Sequence, residues 1–254
     1  MKNYVLITGA TSGIGYELAK IFAKNEHSLL LISREKTTLE KVKKELKTYP
    51  IDIEIFSSDL SKSNSANKIL EFVKLKKINI DILINNAGFG LKGKFIETDL
   101  EKELNMIDLN VKALTSLTKL FIPILSKNKN SKILNVASTA AFQPGPLMAV
   151  YYATKAYVLS FSNALYEELK PLNIHVSTLC PGATETNFAK TANLSNTLLF
   201  KTAMTAEKVA LVAYKGLMKN KRVIIPGYKN KFLKLIIPFT PIRLILKVVK
   251  RIQS

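Results

Sequence analysis

The stretch that decides the fold is "TGATSGIG", Thr8–Gly15, which follows the apolar run "NYVLI" and opens the helical pattern "GIGYELAKIFAKN". Its glycines at positions 9, 13 and 15 permit a tight turn, a close approach of backbone to phosphate and close packing of helix on strand. The helix start also offers N–H groups and a positive dipole end to an anion. We therefore predict a strand, turn and helix, with a pyrophosphate cradle as the leading interpretation and a turn without ligand as the alternative.

The alternation of apolar run and helical stretch continues along the chain. The runs "SLLLIS" and "IDIEIFSSD" precede charged helical stretches, and "IDILINN", "SKILNVAS", "IHVSTLC" and "KRVIIPG" add further near-continuous apolar runs. Such runs are typical of parallel strands that helices cover on both faces. We predict an α/β fold with a doubly wound, mostly parallel seven-stranded sheet, a Rossmann fold. Because no long Gly/Ser/Pro linker divides the chain, we expect a single domain over residues 1–254.

The amino-acid composition limits the cellular compartment and the kinds of site that can be expected. The 254 residues include one cysteine, Cys180, so no internal disulfide is possible and a reduced, cytoplasmic setting is expected. Every apolar run is shorter than the roughly 18 residues that cross a bilayer. His27 and His175 lack metal-ligand spacing, so no metal site is predicted. The net charge is +19, and from Lys208 onward there are twelve basic residues and no acidic one.

The end of the second predicted strand bears on the cofactor. A dinucleotide site usually carries an acid here for the ribose 2′-hydroxyl. This chain has Ser33 and Arg34 instead, followed by Glu35. A guanidinium and a hydroxyl suit a 2′-phosphate, so we predict NADP(H) in preference to NAD(H), which stays possible. The alternative is that Arg34 is a solvated charge at a helix start.

The stretch "VYYATKAY", residues 150–157, holds three tyrosines and a lysine. Tyr151 and Tyr152 lie four and three positions before Lys155, so either can share a helix face with it. A nearby ammonium lowers the pKa of a phenol by favouring the phenolate. Spacing alone leaves the choice between the two tyrosines open.

Taken together, these motifs resemble the short-chain dehydrogenase/reductase family. The resemblance covers roughly residues 4–190 in order: the turn at Thr8–Gly15, "NNAG" at Asn85–Gly88, Asn110 in "LNV", Ser138 in "NVAST", Tyr151 with Lys155, and "PGATET" at Pro181–Thr186. The family's offset from the serine selects Tyr151 over Tyr152. Tyr152 and Tyr157 are then expected to point elsewhere.

The resemblance implies a role for each residue. Ser138 would polarise a carbonyl, Tyr151 would transfer the proton, and Lys155 would lower the Tyr151 pKa and bind the nicotinamide ribose, while Asn110 would hold a water. Taken singly, Ser138 could be a turn cap, Asn110 an interior polar residue and the Tyr-x-x-x-Lys pair a chance occurrence. The implied cofactor-binding residues are Gly9, Thr11, Ser12, Gly13, Ile14, Gly15, Ser33, Arg34, Asp59, Asn86, Ala87, Gly88, Tyr151, Lys155, Pro181, Gly182, Thr184 and Thr186.

Two segments follow the matched region. Residues 187–206 resemble a substrate-covering segment, and their apolar content favours an apolar substrate; a helical pair that buries these side chains in the fold is the alternative. Residues 228–254 are predicted to form a basic amphipathic extension, which can lie on its own domain, a partner subunit or an anionic membrane surface. Its predicted apolar face is Ile242, Ile245, Leu246, Val249 and Ile252, and its predicted basic face is Arg243, Lys247, Lys250 and Arg251.

We therefore expect an NADP(H)-dependent oxidoreductase that transfers hydride between nicotinamide and a carbonyl or secondary alcohol of an apolar substrate, such as a ketone or a 3-oxoacyl group. A cofactor-binding sensor or scaffold without catalysis is the alternative, and a nucleic-acid binder, suggested by the charge, is less favoured because the chain lacks a groove-reading motif. By resemblance alone we expect a homodimer or homotetramer, located in the cytoplasm, with the membrane surface as an alternative site.

Overall fold

The computed structural model describes residues 2–192 and 203–253. Within these residues, seven strands form one parallel sheet in the order β3-β2-β1-β4-β5-β6-β9, which confirms the predicted fold class. A separate parallel pair joins β7 to β8. The strands are β1 (Asn3–Thr8), β2 (Ser28–Ser33), β3 (Ile53–Ser57), β4 (Asn79–Asn85), β5 (Ser131–Val136), β6 (Ile174–Leu179), β7 (Thr184–Glu185), β8 (Met204–Thr205) and β9 (Val223–Ile224).

Helices cover both faces of the sheet because side chains alternate along each strand. Val5 and Ile7 of β1 point to one face, where they pack with α1, α2 and α8, while Leu6 points to the other face with α3, α5 and α6. The helices are α1 (Gly13–Lys24), α2 (Lys36–Leu46), α3 (Ser65–Leu75), α4 (Leu100–Ile107), α5 (Leu114–Leu125), α6 (Ala149–Glu168), α7 (Asn187–Thr191), α8 (Ala206–Met218), α9 (Tyr228–Ile236) and α10 (Ile242–Gln253).

The strand order reverses beside β1, which lies between β2 and β4. Crossovers on the two sides of this point lead to opposite faces of the sheet, so a crevice opens at the carboxyl ends of the strands. The residues that follow β1, β2, β4, β5 and β6 are therefore brought to the same edge. This topology explains why motifs far apart in sequence share one site.

The C-terminal part differs in detail from the sequence prediction. The expected last edge strand is short, since β9 pairs with β6 only at Val223–Ile224. A 3₁₀ turn at Ile237–Phe239 joins α9 to α10. The predicted apolar face of α10 is divided: Ile245 is buried, whereas Ile242 and Leu246 are 54% and 36% exposed. The extension therefore lies partly on its own domain.

Part of the predicted substrate-covering segment, residues 193–202, lies outside the described residues, including Leu194, Leu198, Leu199 and Phe200. The described flanks are α7 and β8, and Phe188 of α7 contacts the Tyr151 ring at a centroid separation of 5.3 Å. Within the described part of the chain, every helix is too short or too polar to cross a bilayer.

Candidate active site

The Gly-rich turn after β1 is held by the strands on each side. Gly9 has a left-handed φ of 65°, and its N–H donates to the Ile32 carbonyl of β2 at 2.9 Å. At the end of β4, the Asn86 side-chain amide donates to the carbonyls of Thr8 and Gly9 at 2.9 and 3.2 Å. The shape of the turn is therefore fixed by hydrogen bonds within the protein.

The N-terminus of α1 has the properties of an anion site. The Ser12 side chain makes no capping hydrogen bond with a described residue, and the first turn contains no acidic residue. At Gly13, φ is 54°, and a Cβ would lie 2.8 Å from Cγ2 of Thr186, so the loop after β6 can cross the turn only over glycine. The first-turn N–H groups and the helix dipole favour a phosphate here.

The end of β2 presents the residues expected to select the cofactor. The hydroxyl oxygens of Thr11 and Ser33 are 2.9 Å apart. Arg34 is exposed and forms no ion pair with any described residue. The Glu35 carboxylate beside it accepts a hydrogen bond from the Thr38 hydroxyl at 3.1 Å. The Arg34 guanidinium, which has no partner within residues 2–192 and 203–253, is thus available at this edge.

One cavity of about 1450 Å³ runs from this edge past the ends of β4, β5 and β6. Gly15 and Asn110 are the predicted residues that do not line it. Gly15 packs directly against Gly9 and Asn86, so it serves helix packing. The predicted residues that do line the cavity are Gly9, Thr11, Ser12, Gly13, Ile14, Ser33, Arg34, Asp59, Asn86, Ala87, Gly88, Ser138, Tyr151, Lys155, Pro181, Gly182, Thr184 and Thr186.

Tyr151 and Ser138 both line this cavity, and Ser138 interacts with the Tyr151 phenol. Burial raises the pKa of the Tyr151 phenol above its ordinary value, and the interaction with Ser138 offsets this only in part. The Ser138 hydroxyl also caps the following 3₁₀ turn by accepting the Ala140 N–H at 3.1 Å. The Ser138 hydroxyl therefore caps the turn, as the alternative interpretation expects, and also interacts with the Tyr151 phenol.

Lys155 lies one helical turn from Tyr151 and is buried. Its ammonium donates to the Val136 carbonyl at 2.9 Å and lies 5.8 Å from the Tyr151 ring centroid. Burial lowers the pKa of Lys155 to about 8. Because the ammonium faces a backbone carbonyl, the effect of Lys155 on the Tyr151 pKa stays a prediction; the interaction with Ser138 lowers this pKa.

Asn110 is buried behind the cavity, in a π-helical segment, Asp108–Ala113, between α4 and α5. Its side-chain amide donates to the Phe89 carbonyl at 2.9 Å and to the Thr154 hydroxyl at 3.1 Å, and its oxygen accepts the Phe89 N–H at 3.1 Å. Both amide hydrogens are therefore used to join the loop after β4 to α6. The water-holding role of Asn110 stays a prediction.

Tyr152 packs in a buried cluster, as the expectation that it points toward packing requires, but it is also close to the site. It lines the same cavity as Tyr151, and its phenol oxygen accepts a hydrogen bond from the side-chain amide of Gln253, the last residue of α10. Tyr157 does face away, since it is 39% exposed and bonds to Thr115 at 2.9 Å. Helical spacing could not show that α10 returns to the cavity and gives Tyr152 a partner there.

The loop after β6 closes one side of the cavity. The Thr184 hydroxyl donates to the Gly182 carbonyl at 3.0 Å, and the Thr186 hydroxyl accepts the Phe188 N–H at 3.2 Å. A Cβ on Gly182 would lie 2.6 Å from the amide nitrogen of Asn230, so α9 is in contact with this loop. The contact joins the C-terminal extension to the predicted cofactor region.

Helices α9 and α10 form part of the cavity wall, which was not predicted from the sequence. Ile245, Val249, Ile252 and Gln253 of α10 line the cavity, and Val249 packs against the cluster that contains Tyr151 and Met106. Three of these residues belong to the predicted apolar face. The sequence does contain a signal for this arrangement. Ile245, Val249 and Ile252 have the i, i+4, i+7 spacing of one helix face, and the polar Gln253 follows at i+8.

The arrangement fits a dinucleotide with a second molecule beside it. Pockets for one small ligand are commonly about 300–1,000 Å³, and this cavity is larger at about 1450 Å³. The turn end offers an anion site, and the other end offers a phenol, a hydroxyl and an ammonium. Such groups can hold a ribose and stabilise charge on a carbonyl oxygen. Cys180 contributes no nucleophile here, because burial raises the pKa of its thiol to about 12.

Comparisons with known proteins agree with this geometry. The sequence model described as short chain dehydrogenase matches residues 3–197. An NADP-dependent 3-hydroxy acid dehydrogenase of Schizosaccharomyces pombe is 31% identical over 87% of this chain and 89% of its own length. A short-chain dehydrogenase from Sphingobium yanoikuyae in complex with NADPH superposes with a TM-score of 0.83, at 31% identity and 92% coverage of both chains.

A third relative carries the other nicotinamide cofactor. The 3-ketoacyl-(acyl-carrier-protein) reductase from Brucella melitensis complexed with NADH has a TM-score of 0.78 and 30% identity, covering 88% of this chain and 96% of that one. The family match spans well over half of the chain. The chain belongs to the short-chain dehydrogenase/reductase family of oxidoreductases.

Proposed function

We propose that this protein is an NADP(H)-preferring reductase that interconverts a carbonyl and a secondary alcohol on an apolar substrate, a ketone or a 3-oxoacyl compound. One observation carries the proposal: Ser138, Tyr151 and Lys155 line one end of a cavity whose other end is the Gly-rich turn. A proton donor, an oxyanion-stabilising group and an anion site are thus within reach of one dinucleotide and its substrate.

Each side chain has a part in the proposed reaction. NADPH, when bound, supplies the hydride. Ser138 stabilises negative charge on the carbonyl oxygen by donating a hydrogen bond to it. Tyr151 delivers its phenolic proton to the same oxygen. Lys155 holds the ribose through its ammonium, and the turn from Gly9 to Gly15 holds the pyrophosphate.

Two features support an apolar substrate with a 3-oxo group. Phe188, Met148 and Ile245 line the cavity. Two of the relatives act, by their names, on a 3-hydroxy acid and a 3-ketoacyl group. We therefore place ketones of medium and long chain and 3-oxoacyl thioesters first among the candidates.

The test is an NADPH-consumption screen over these carbonyl compounds, with NADH in parallel. We expect turnover of at least one of them with NADPH and slower turnover with NADH. Calorimetric NADPH binding without any turnover would favour the sensor or scaffold instead. Retention on DNA without NADPH binding would favour the nucleic-acid binder.

The substitution Arg34→Ala is expected to weaken the binding of NADPH. The Arg34 guanidinium, without a protein partner among the described residues, is the group we assign to the 2′-phosphate. Loss of a charge-assisted contact of this kind raises the KM for NADPH by about 10- to 100-fold, while the KM for NADH stays within about twofold. Steady-state kinetics with both cofactors measure the change.

Lys36→Ala is the matched control for Arg34→Ala, because Lys36 is an exposed cation two residues on that does not line the cavity. It should leave both KM values unchanged. An unchanged NADPH KM in Arg34→Ala, or wild-type protein that uses NADH more efficiently, contradicts the proposed preference.

The pH dependence should differ between the two directions. Burial raises the pKa of Tyr151, so the phenol keeps its proton throughout the neutral range. Below the Lys155 pKa of about 8, reduction, which uses the protonated phenol, is expected to be flat between about pH 6 and 7.5, whereas alcohol oxidation, which needs the phenolate, should rise about tenfold per pH unit there. Profiles of log kcat in both directions check this, and an oxidation rate that is level from pH 6 contradicts it.

The proposal includes assembly and location. We propose a homodimer or homotetramer, which light scattering in solution would show directly. A cytoplasmic location with peripheral association at the membrane surface is also proposed, and cell fractionation before and after a salt wash would reveal it.

A further inference from the structure

The C-terminal roof, which we define as residues 228–253, covers the substrate end of the cavity with α9, the 3₁₀ turn and α10. No residue of α9 is buried. Ten of the 21 exposed large apolar side chains in the described residues fall within residues 228–248. Since single exposed apolar residues are ordinary but contiguous groups mark contact surfaces, this concentration indicates a binding surface.

The ten side chains divide into two sets by their relation to the cavity. The outward set does not line the cavity and comprises Phe232, Leu235, Phe239, Ile242 and Leu246, which are between 36% and 88% exposed. The rim set lines the cavity while remaining exposed, and comprises Tyr228, Leu233, Ile236, Leu244 and Val248. The cavity mouth is therefore bordered by apolar side chains and flanked by an apolar outer surface.

The charge of the roof identifies what can cover it. It contains seven basic residues, and no acidic residue occurs from Lys208 to the end of the sequence. A second copy of the roof would bring like charges together, whereas anionic lipid headgroups complement them. Nucleic acid also complements the charge, but five outward aliphatic and phenylalanine side chains match hydrocarbon better than a sugar-phosphate backbone. The basic residues are Lys229, Lys231, Lys234, Arg243, Lys247, Lys250 and Arg251.

The roof is also attached firmly to the site below it. Ile245 is 9% exposed and Gln253 is 1% exposed, and the Gln253 amide donates to Tyr152 beside Tyr151. The inner side of α10 is thus part of the cavity wall while its outer side carries the basic residues. A bilayer that contacts the outer side would lie next to the cavity mouth.

We propose that the C-terminal roof is a docking surface for anionic phospholipid bilayers, and that the cavity takes its carbonyl substrate directly from the lipid through the rim set. The docking part of the proposal rests only on the exposed apolar side chains and the basic residues of the C-terminal roof. The substrate part rests on the proposed function and narrows it to an amphiphilic carbonyl compound that dissolves in membranes.

Docking is tested by co-sedimentation of the full-length protein with vesicles of phosphatidylcholine alone or with about 30% phosphatidylglycerol. Arg243→Glu with Lys247→Glu removes two basic residues, each contributing about fivefold to the partition coefficient, and adds two repulsive charges. We expect at least a tenfold loss of binding to the anionic vesicles. Lys127→Glu with Lys129→Glu changes the net charge equally at exposed sites outside the roof and should bind like wild type.

The apolar contribution has its own matched pair. Phe232→Ser with Leu235→Ser alters outward residues that are 62% and 63% exposed, and Phe95→Ser with Leu100→Ser alters residues that are both 65% exposed elsewhere. Only the first pair should lower binding, again by at least about tenfold. Because all four side chains are exposed, their loss should leave NADPH binding and the melting temperature close to those of wild type, which verifies folding.

Several results would overturn docking: absence of binding to anionic vesicles, equal binding of roof and control variants, a roof variant that dissociates an oligomer in lipid-free solution, or retention on DNA without vesicle binding.

Substrate delivery is measured separately with a short, water-soluble ketone and a long-chain ketone dissolved in vesicles. The roof variants should lose about tenfold in rate on the second substrate only. Equal loss on both overturns delivery. If neither ketone is reduced by wild type, the proposed function fails while the vesicle result still decides docking.

Discussion

Replacing Tyr151 with phenylalanine is expected to lower kcat for carbonyl reduction by about 10²- to 10⁴-fold, the usual contribution of a positioned general acid. Tyr151 is 8% exposed, its phenol interacts with Ser138, and its ring contacts Phe188. Phenylalanine keeps the ring and removes only the proton donor. NADPH affinity should stay within about threefold and unfolding free energy within about 1 kcal/mol, because one hydrogen bond is lost.

The neighbouring tyrosines provide two controls for Tyr151→Phe. Tyr152→Phe loses its hydrogen bond with Gln253 but leaves Tyr151 and Ser138 paired, so its kcat should fall less than tenfold. Tyr157→Phe alters an exposed tyrosine and should match wild type. Rapid-reaction measurement of hydride transfer separates chemistry from product release. Near-normal activity in Tyr151→Phe together with severe loss in Tyr152→Phe would assign the proton transfer to Tyr152.

The fold was predictable because its signals are local. "NYVLIT" and "SLLLIS" contain continuous apolar runs, as is typical of strands covered on both faces, and they correspond to β1 and β2 in the predicted order of elements. The short last strand was harder, since "KRVIIPG" contains the apolar run of a strand but pairs only at Val223–Ile224. Pairing length depends on the neighbouring strand, which sequence does not show.

The site was predictable where motif residues follow strands. Gly13, Ser138 and Pro181 come to the same cavity because parallel strands end at the same sheet edge. The sequence could not show which hydrogen-bond partner a side chain has in the folded protein. Gln253 bonds to Tyr152 from 101 positions away, and Lys155 turns to the Val136 carbonyl instead of the Tyr151 phenol.

Lys155→Met is expected to abolish most activity and yet make the protein more stable at pH 7. Burial shifts the Lys155 pKa from 10.5 to about 8, which corresponds to up to about 3 kcal/mol of unfolding free energy. Methionine keeps an unbranched apolar stem without the charge. Loss of the hydrogen bond to Val136 offsets about 1 kcal/mol, so a net gain of about 1–2 kcal/mol remains. Without the ammonium, kcat/KM should fall by at least about 10³-fold, because ribose binding and charge near the phenol are both lost.

The pH dependence of this gain identifies its cause. The unfolded chain keeps the Lys155 proton up to about pH 10.5, whereas the folded chain releases it near pH 8. Between these values the unfolded state binds more protons, so wild-type stability rises with pH and the advantage of Lys155→Met shrinks. Urea unfolding at pH 7 and pH 9.5 measures the difference.

Lys132→Met is the matched control for Lys155→Met. Lys132 is also buried, with its pKa lowered by burial, but it lies on β5 outside the cavity and bonds to Asn220. Its replacement should leave kcat/KM near that of wild type, since Lys132 does not line the cavity. Two results would contradict this prediction: a lower free energy of unfolding for Lys155→Met than for wild type at pH 7, or a stability gain that grows between pH 7 and 9.5. Either result would mean that the buried ammonium stabilises the folded protein.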